Sequence, residues 1–213
     1  MGCSPPHFLG RVNRLCLVLC LIFVGQTVKA QTIVSSGKSL ISRVVPSHVS
    51  YFEVEELISK SGKDEFEIES KSGKIILRGS SGVAVASALY HYLTEYAHCQ
   101  ITWNGTNLSL PEKLPVVPAK INKATVYNYR YNLNYCTFNY SMSWWDWERW
   151  QKEIDWMALH GINMPLAITG EEYTWLEVYK DMGFSENELK DFFSGPAYFG
   201  WFWMGNLDGW GGP

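Results

Sequence analysis

"YRYNLNYCTFNYSMSWWDWERWQKEIDWMALHGINMPLAITGEE", residues 129–172, decides the fold. Its first eight residues, 129–136, alternate aromatic or apolar side chains with polar ones, the period-2 pattern of a strand. The octet "SWWDWERW", residues 143–150, packs four tryptophans and three charges together and opens a helix predicted to run to His160. Trp147, Trp150, Ile154, Met157 and Ala158 fall on one stripe of that helix. The stripe is about 100° wide, the width of a core-facing surface, so Trp147 and Trp150 are expected in the core. Trp144 and Trp145 stand at the helix mouth, where core and ligand contact both stay open. Trp156 lies opposite the stripe, where a neighbouring helix or the preceding domain can cover it.

Glu148 and Lys152 add a favourable i,i+4 pair, and Gly161 ends the helix where a left-handed residue costs least. "INMPLAI", residues 162–168, is then a near-continuous apolar run, the mark of a strand buried on both faces of a parallel sheet. Pro165 opposes that reading by removing a ladder donor. A helix from about Glu172 to Met182 follows, and a capping box of Ser185 with Glu188 starts another over Glu186–Phe193. Strand, helix, strand, helix reads as a parallel βαβ unit. In (β/α)8 barrels the loops after the strands build the site, so a site is expected near residues 134–143 and 169–172.

Upstream the pattern is shorter and mixed. "DEFEIES" (64–70) and "KIILRG" (74–79) alternate across a Ser-Gly turn and predict a hairpin. Ser80 or Ser81 caps a helix of about fifteen residues whose apolar face is Val83, Ala86, Tyr90, Leu93 and Ala97. "CQITW" (99–103) reads as a further strand, and the proline-bearing stretch Leu110–Pro118 breaks the pattern and looks like a linker. The organisation expected is a signal peptide over 1–30, a small α+β domain over 31–118, a linker over 119–126 and an α/β region from 127 to 213.

Composition narrows the function. Arg11 and Arg14 precede an apolar run, Leu15–Val24, and Val28-Lys29-Ala30 places small residues before a cleavage point at Gln31. A run of about ten residues is too short to span a bilayer, so no membrane anchor is expected after cleavage. Removing Arg11, Arg14 and Lys29 leaves 15 basic against 21 acidic residues, a net charge of −6. A nucleic-acid partner needs clustered cations that this chain lacks. Of the cysteines only Cys99 and Cys136 remain, and whether they pair is open. The histidines have no metal-ligand spacing, and neither a metal nor a cofactor is expected. The sequons at Asn104, Asn107 and Asn139 are candidate glycosylation sites that agree with a secretory route.

Residues 129–175 closely resemble the start of the catalytic barrel of the α-N-acetylglucosaminidase family. "FFSGPAYFGWFWMGNLDGWGGP" (192–213) looks like its continuation, and "ALYHYLTEYAHCQITWNG" (88–105) is similar to that family's N-terminal α+β domain. The resemblance implies a fold of class α/β: a small N-terminal α+β domain followed by the first βα units of a truncated (β/α)8 barrel. It implies a secreted or lysosomal (vacuolar) exo-glycosidase that releases terminal α-linked N-acetylglucosamine from glycans, by a retaining mechanism with two glutamates.

Retention needs two carboxyl groups about 5–5.5 Å apart, and the family carries both on later barrel strands. This chain is therefore expected to be an N-terminal part, inactive alone, with no catalytic residue of its own. The resemblance marks Asn134, Cys136, Glu172, Trp201, Met204 and Asn206 as pocket residues. Asn134 bonds a hydroxyl or the acetamido group, Cys136 packs on a small apolar patch, Glu172 accepts sugar hydroxyls and Trp201 stacks on a sugar face. Glu171 and Glu172 make a poor catalytic pair, because adjacent side chains at a helix start project about 100° apart. The alternative is a noncatalytic secreted carbohydrate-binding or structural protein.

Overall fold

The computed structural model describes residues 32–205; the expected signal peptide and Asn206 lie outside them. The chain opens with helix α1 (Ile33–Val44) and a 3-10 turn (Pro46–Tyr51). Strands β1 (Phe52–Glu56), β2 (Glu65–Lys71) and β3 (Lys74–Gly79) follow, then helix α2 (Gly82–Glu95). The expected hairpin forms: β2 runs antiparallel to β3, with Lys71 opposite Lys74. Its turn residues Ser72 and Gly73 both have left-handed φ, 51° and 76°, the combination that matches the twist of the flanking strands. β1 pairs with β3 in parallel, the chain passing between them through β2, and α1 and α2 pack on these strands.

Alternation divides that sheet into two faces, with Ile76 buried on the outer one as well. Phe52, Val54, Ile68, Ile75 and Leu77 turn inward, and Ile68 and Leu77, which are register partners, are completely buried. The outer face is an ion-pair cluster in which Arg78 meets Glu55 at 2.6 Å, Glu69 at 2.7 Å and Glu67 at 3.6 Å.

Ser81 caps α2, its hydroxyl accepting from the Ala84 N–H at 3.0 Å. The buried face differs from the one expected. Val85, Leu89, Tyr92 and Leu93 are fully buried, whereas Val83 and Tyr90 are only half-buried. The cause is that α2 is covered on two sides, by the sheet and by a helix of the second region, so its small residues face packing as well. Each fully buried large side chain stabilises by about 1.5–3 kcal/mol. Gly79 makes the close approach possible: a Cβ there would stand 2.5 Å from the Val85 nitrogen.

Strands β4 (Gln100–Ile101) and β5 (Thr106–Asn107) form a small antiparallel hairpin within the stretch expected as a strand and loop. Neither expected linker is a free tether. Within 110–118, Leu114 and Val117 are buried in the first core, and the Tyr92 hydroxyl donates to the Pro115 carbonyl at 2.8 Å. Within 119–126, strand β6 (Ile121–Ala124) pairs antiparallel with β2 and completes the sheet in the order β1-β3-β2-β6. Proline and polar composition hid this, because an edge strand tolerates both.

The second region is a βαβ unit. Strands β7 (Tyr131–Asn132) and β8 (Met164–Pro165) are parallel neighbours. Both are far shorter than expected. Asn134 begins a helix at once, with Leu133 at φ 133° turning the chain, and Met164 and Pro165 are exposed rather than buried on both faces. Pro165 has no N–H, so the ladder resumes only with the Leu166 N–H donating to the Asn132 carbonyl at 2.8 Å.

Between these strands the sequence builds more helix than expected: α3 (Tyr135–Ser141), a 3-10 turn (Met142–Trp144) and α4 (Trp147–Leu159). Asp146 caps α4 by accepting from Arg149 N–H, and Gly161 turns left-handed after it with φ 76°. The pair Lys152–Glu148 forms at 2.8 Å. The expected core stripe is corrected: Trp147 is 69% and Ile154 46% exposed, while Glu153, Met157 and Leu159 are buried. The stripe is rotated because α4 turns Glu153 toward Trp103 and Arg149, and Leu159 and Trp156 toward the first core. Trp156 is thus covered by the preceding region, as its position opposite the stripe suggested. Its ring and that of Tyr90 each approach His160 at 4.4 Å between centroids. A second, smaller core of Phe138, Met142 and Ile168 with Trp145 and Trp150 around it belongs to the βαβ unit.

Beyond β8 come α5 (Glu171–Asp181), α6 (Glu186–Phe192), a 3-10 turn (Pro196–Tyr198) and α7 (Phe199–Trp203). The capping box at Ser185 and Glu188 is complete, with both reciprocal bonds made. No helix among the described residues is long and apolar enough to cross a membrane.

Candidate functional site

The C-terminal ends of β7 and β8 lie side by side and feed two connections, one into α3 and one into α5. Asn134 is the N-cap of α3. Its side-chain carbonyl accepts from the Thr137 N–H and from the Thr137 hydroxyl, both at 2.9 Å. That oxygen is therefore committed to the helix, and only the amide N–H groups remain for a ligand. Cys136 sits in the first turn of the same helix, half-buried and free. Cys99 is also free but buried in the first core, where burial pushes its thiol pKa up from 9.0 and leaves it protonated and inert.

After β8, Gly170 turns left-handed at φ 88° and opens α5. Glu172 is half-buried in that first turn, and its carboxylate has no hydrogen-bond or ion-pair partner among the described residues. A carboxylate at a helix N-terminus is favoured there by the backbone dipole, which holds it ready to accept.

Trp201 lies on α7 and Met204 is its C-cap, and α7 packs on α3. The Trp201 ring meets Tyr140 at 5.9 Å, and Trp203 of the same helix meets Trp175 of α5 at 5.6 Å. The structure thus puts Asn134 and Cys136 at the start of one helix, Trp201 and Met204 on and just after a second packed against it, and ties the helix of Glu172 to the second through the Trp175–Trp203 contact. Asn206 lies outside the described residues.

The residue that holds this arrangement together is Asn139, which the sequence marks as a sequon. It is 3% exposed. Its amide nitrogen donates to the Pro196 carbonyl at 2.7 Å and to Ser143 Oγ at 3.4 Å, and its carbonyl accepts from the Gly200 N–H. A buried amide with both ends engaged leaves no room for a glycan, so the expected modification at Asn139 is corrected to a structural latch. Gly200 is required at this contact, since a Cβ would stand 2.7 Å from the Tyr135 carbonyl oxygen. Asn104 and Asn107, by contrast, are exposed on the β4–β5 hairpin. Spacing could not separate the three sequons, because the tripeptide says nothing of burial.

Glu153 is structurally occupied. Glu153 accepts from the Trp103 indole N–H at 2.9 and 3.1 Å and from Arg149 at 3.1 Å. The indole N–H groups of Trp150 and Trp203, in the aromatic layer beside α3 and α7, have no acceptor among the described residues. No group of three His, Cys, Asp or Glu among these residues stands in a metal-binding arrangement.

Residues 130–213 match the family profile described as the alpha-N-acetylglucosaminidase (NAGLU) TIM-barrel domain, and residues 35–116 match the N-terminal domain of the same family. The human alpha-N-acetylglucosaminidase is 46% identical over 158 residues, which is 74% of this chain and 21% of that protein. A family 89 glycoside hydrolase from Clostridium perfringens, solved with 2-acetamido-1,2-dideoxynojirmycin, superposes with a TM-score of 0.80 at 38% identity. The match covers 85% of this chain and 21% of that one. The same score and coverage hold for a variant of that enzyme with two Glu-to-Gln substitutions, solved with its substrate GlcNAc-alpha-1,4-galactose. The chain spans about a fifth of the length of these relatives. With both halves matching profiles of one family and the βαβ unit in an open, barrel-type arrangement, the chain belongs to the alpha-N-acetylglucosaminidase family.

Proposed function

We propose that these residues form the N-terminal domain and the opening βα units of a retaining exo-glycosidase that removes terminal α-linked N-acetylglucosamine from glycans. The observation that carries this is that α3 and α5 follow directly on β7 and β8, with α7 packed on α3 and touching α5 through Trp203 and Trp175, so that Asn134, Cys136, Glu172, Trp201 and Met204 stand on or at the ends of these helices. Barrel enzymes bind substrate at that face. The Asn134 amide donates to a sugar oxygen, Glu172 accepts from a hydroxyl and Trp201 offers an indole face to the ring's apolar side.

The chemistry itself requires a carboxylate nucleophile and a carboxylic acid about 5–5.5 Å apart across the scissile bond. Glu153 is engaged with Trp103 and Arg149, and Glu171 and Glu172 are adjacent on one helix turn. The pair is therefore assigned to later strands of the same barrel, in keeping with the two substituted glutamates of the substrate-bound relative. Residues 1–30 act as a secretory leader that directs the protein to the extracellular space or a lysosome-type compartment, with glycans on Asn104 and Asn107.

The test compares the 213-residue chain with a longer protein carrying the remaining barrel strands, on p-nitrophenyl N-acetyl-α-D-glucosaminide. The longer protein turns over, and Trp201→Ala in it raises KM about tenfold or more while changing kcat less. Turnover by the 213-residue chain that disappears with Glu172→Gln would overturn the assignment.

A further inference from the structure

A cleft of about 660 Å3 opens between the β4–β5 hairpin and helix α4, and none of Asn134, Cys136, Glu172, Trp201 and Met204 lines it. Its volume lies within the roughly 300–1,000 Å3 of small-ligand sites. The hairpin presents Trp103, 46% exposed, and α4 presents Arg149 and Gln151.

Trp103 is unusually well fixed for an exposed aromatic. Its indole N–H donates to both oxygens of Glu153, a carboxylate on a residue only 2% exposed, and Arg149 joins the same carboxylate. The Arg149 guanidinium lies 3.8 Å from the Trp145 ring centre and 6.0 Å from that of Trp103. The ring orientation is thus set before any ligand arrives, which removes the ordering cost that a free indole would carry.

The charges around the cleft decide what can occupy it. Arg43 is paired with Asp155 at 2.6 Å, Lys152 with Glu148 at 2.8 Å and Arg149 with Glu153 at 3.1 Å. Every lining cation has its own carboxylate, so no spare positive charge awaits a sulfate or phosphate. What remains is a fixed aromatic face beside the polar side chains of Thr102, Asn104 and Gln151.

We propose that this cleft is a binding site for a neutral oligosaccharide, with Trp103 as the platform on which a sugar ring stacks. The site is separate from the strand-end face and does not depend on the activity proposed for it. The glycan comes either from solution or from the chain itself, because the sequon residue Asn104 stands on the rim.

Isothermal titration of the complete protein, with 2-acetamido-1,2-dideoxynojirmycin present to fill the strand-end pocket, tests this. Cellotriose, triacetylchitotriose and maltotriose serve as neutral probes and a heparan sulfate tetrasaccharide as the sulfated one. At least one neutral probe is expected to bind with a dissociation constant of about 1 mM or tighter, and Trp103→Ala weakens it about tenfold or more. Because Trp103→Ala also removes a partner of buried Glu153, Gly105→Ile is the second variant. A Cβ at Gly105 meets nothing within 4 Å, so this side chain obstructs the rim without disturbing the packing. It is expected to weaken binding equally. Binding that appears only in Asn104→Gln supports the same ligand chemistry and identifies the chain's own glycan as occupant. Absence of neutral binding in both wild type and Asn104→Gln, binding of the sulfated probe alone, or binding that survives Gly105→Ile would overturn the proposal.

Discussion

Replacing Asn139 tests whether the latch holds the candidate site. In Asn139→Ala the Gly200 N–H, buried with its residue, loses its acceptor, and an unsatisfied buried donor costs about 1–3 kcal/mol. The Pro196 carbonyl loses one donor but keeps Ser143 Oγ at 2.9 Å, so it adds little. Removing the amide also leaves a small void beneath α7, which brings the expected loss to about 2–4 kcal/mol. Asn139→Asp separates hydrogen bonding from volume. It keeps the acceptor for Gly200 but sets a carboxylate oxygen where the amide nitrogen now lies, 2.7 Å from the Pro196 carbonyl.

That carboxyl fits only when protonated, so its folded-state pKa is raised above the unfolded value of about 3.9. The variant's stability is then fully present below that value and is lost as pH rises through the folded pKa. Urea unfolding at pH 3.5 and pH 7 measures both effects, and mass spectrometry of protein from a eukaryotic secretory host reports Asn139 as unmodified. A loss below about 0.5 kcal/mol for Asn139→Ala, a pH-independent Asn139→Asp, or a glycan on Asn139 in folded protein would refute the latch.

Three further outcomes follow from the packing. Gly79→Ala forces a methyl group to within 2.5 Å of the Val85 nitrogen, and overpacking against backbone costs about 1–3 kcal/mol or more, read as a lower urea midpoint. Glu153→Gln removes the charge from the Trp103–Glu153–Arg149 cluster. Arg149 is 34% exposed and re-solvates, so the loss is about 1–2 kcal/mol, and a double-mutant cycle with Arg149→Ala measures a coupling near 1 kcal/mol. Acid sensitivity has a defined window. The Asn122 side chain and the Lys60 N–H hold the Glu65 carboxyl below its ordinary 4.5, Arg78 does the same for Glu69, and the Ser185 cap does so for Glu188. Depressed carboxyl pKa values give stability that is present above about 4.5 and lost as pH falls through the lower folded values. Glu65→Gln flattens that decline in a pH series of thermal melts.

Local signals were readable from sequence where one residue type satisfies one backbone need. Ser81, Ser185 with Glu188, and the Ser72-Gly73 turn are of this kind, and each sits where the pattern put it. Burial was less readable. The α4 stripe centred on Trp147 because a helical wheel ranks residues by apolarity, yet a carboxylate with two donors waiting for it, Glu153, takes the inside position. The strands shrank because Asn134 starts a helix and Pro165 interrupts the ladder, local choices that override an alternating pattern. The latch at Asn139 left only a misleading trace, since its partners Pro196 and Gly200 lie about sixty positions away in sequence.

The way β6 is sewn onto β2 gives the molecule an inflexible shoulder. Arg130, six residues beyond it, grips Asp64 of the sheet region together with the carbonyls of Tyr127 and Gly161. Mechanical load applied across the two halves therefore has no slack tether to stretch before it reaches hydrogen bonds in shear. Single-molecule extension would show them yielding in one abrupt event, and a protease aimed at 119–126 would find its target already woven into fabric.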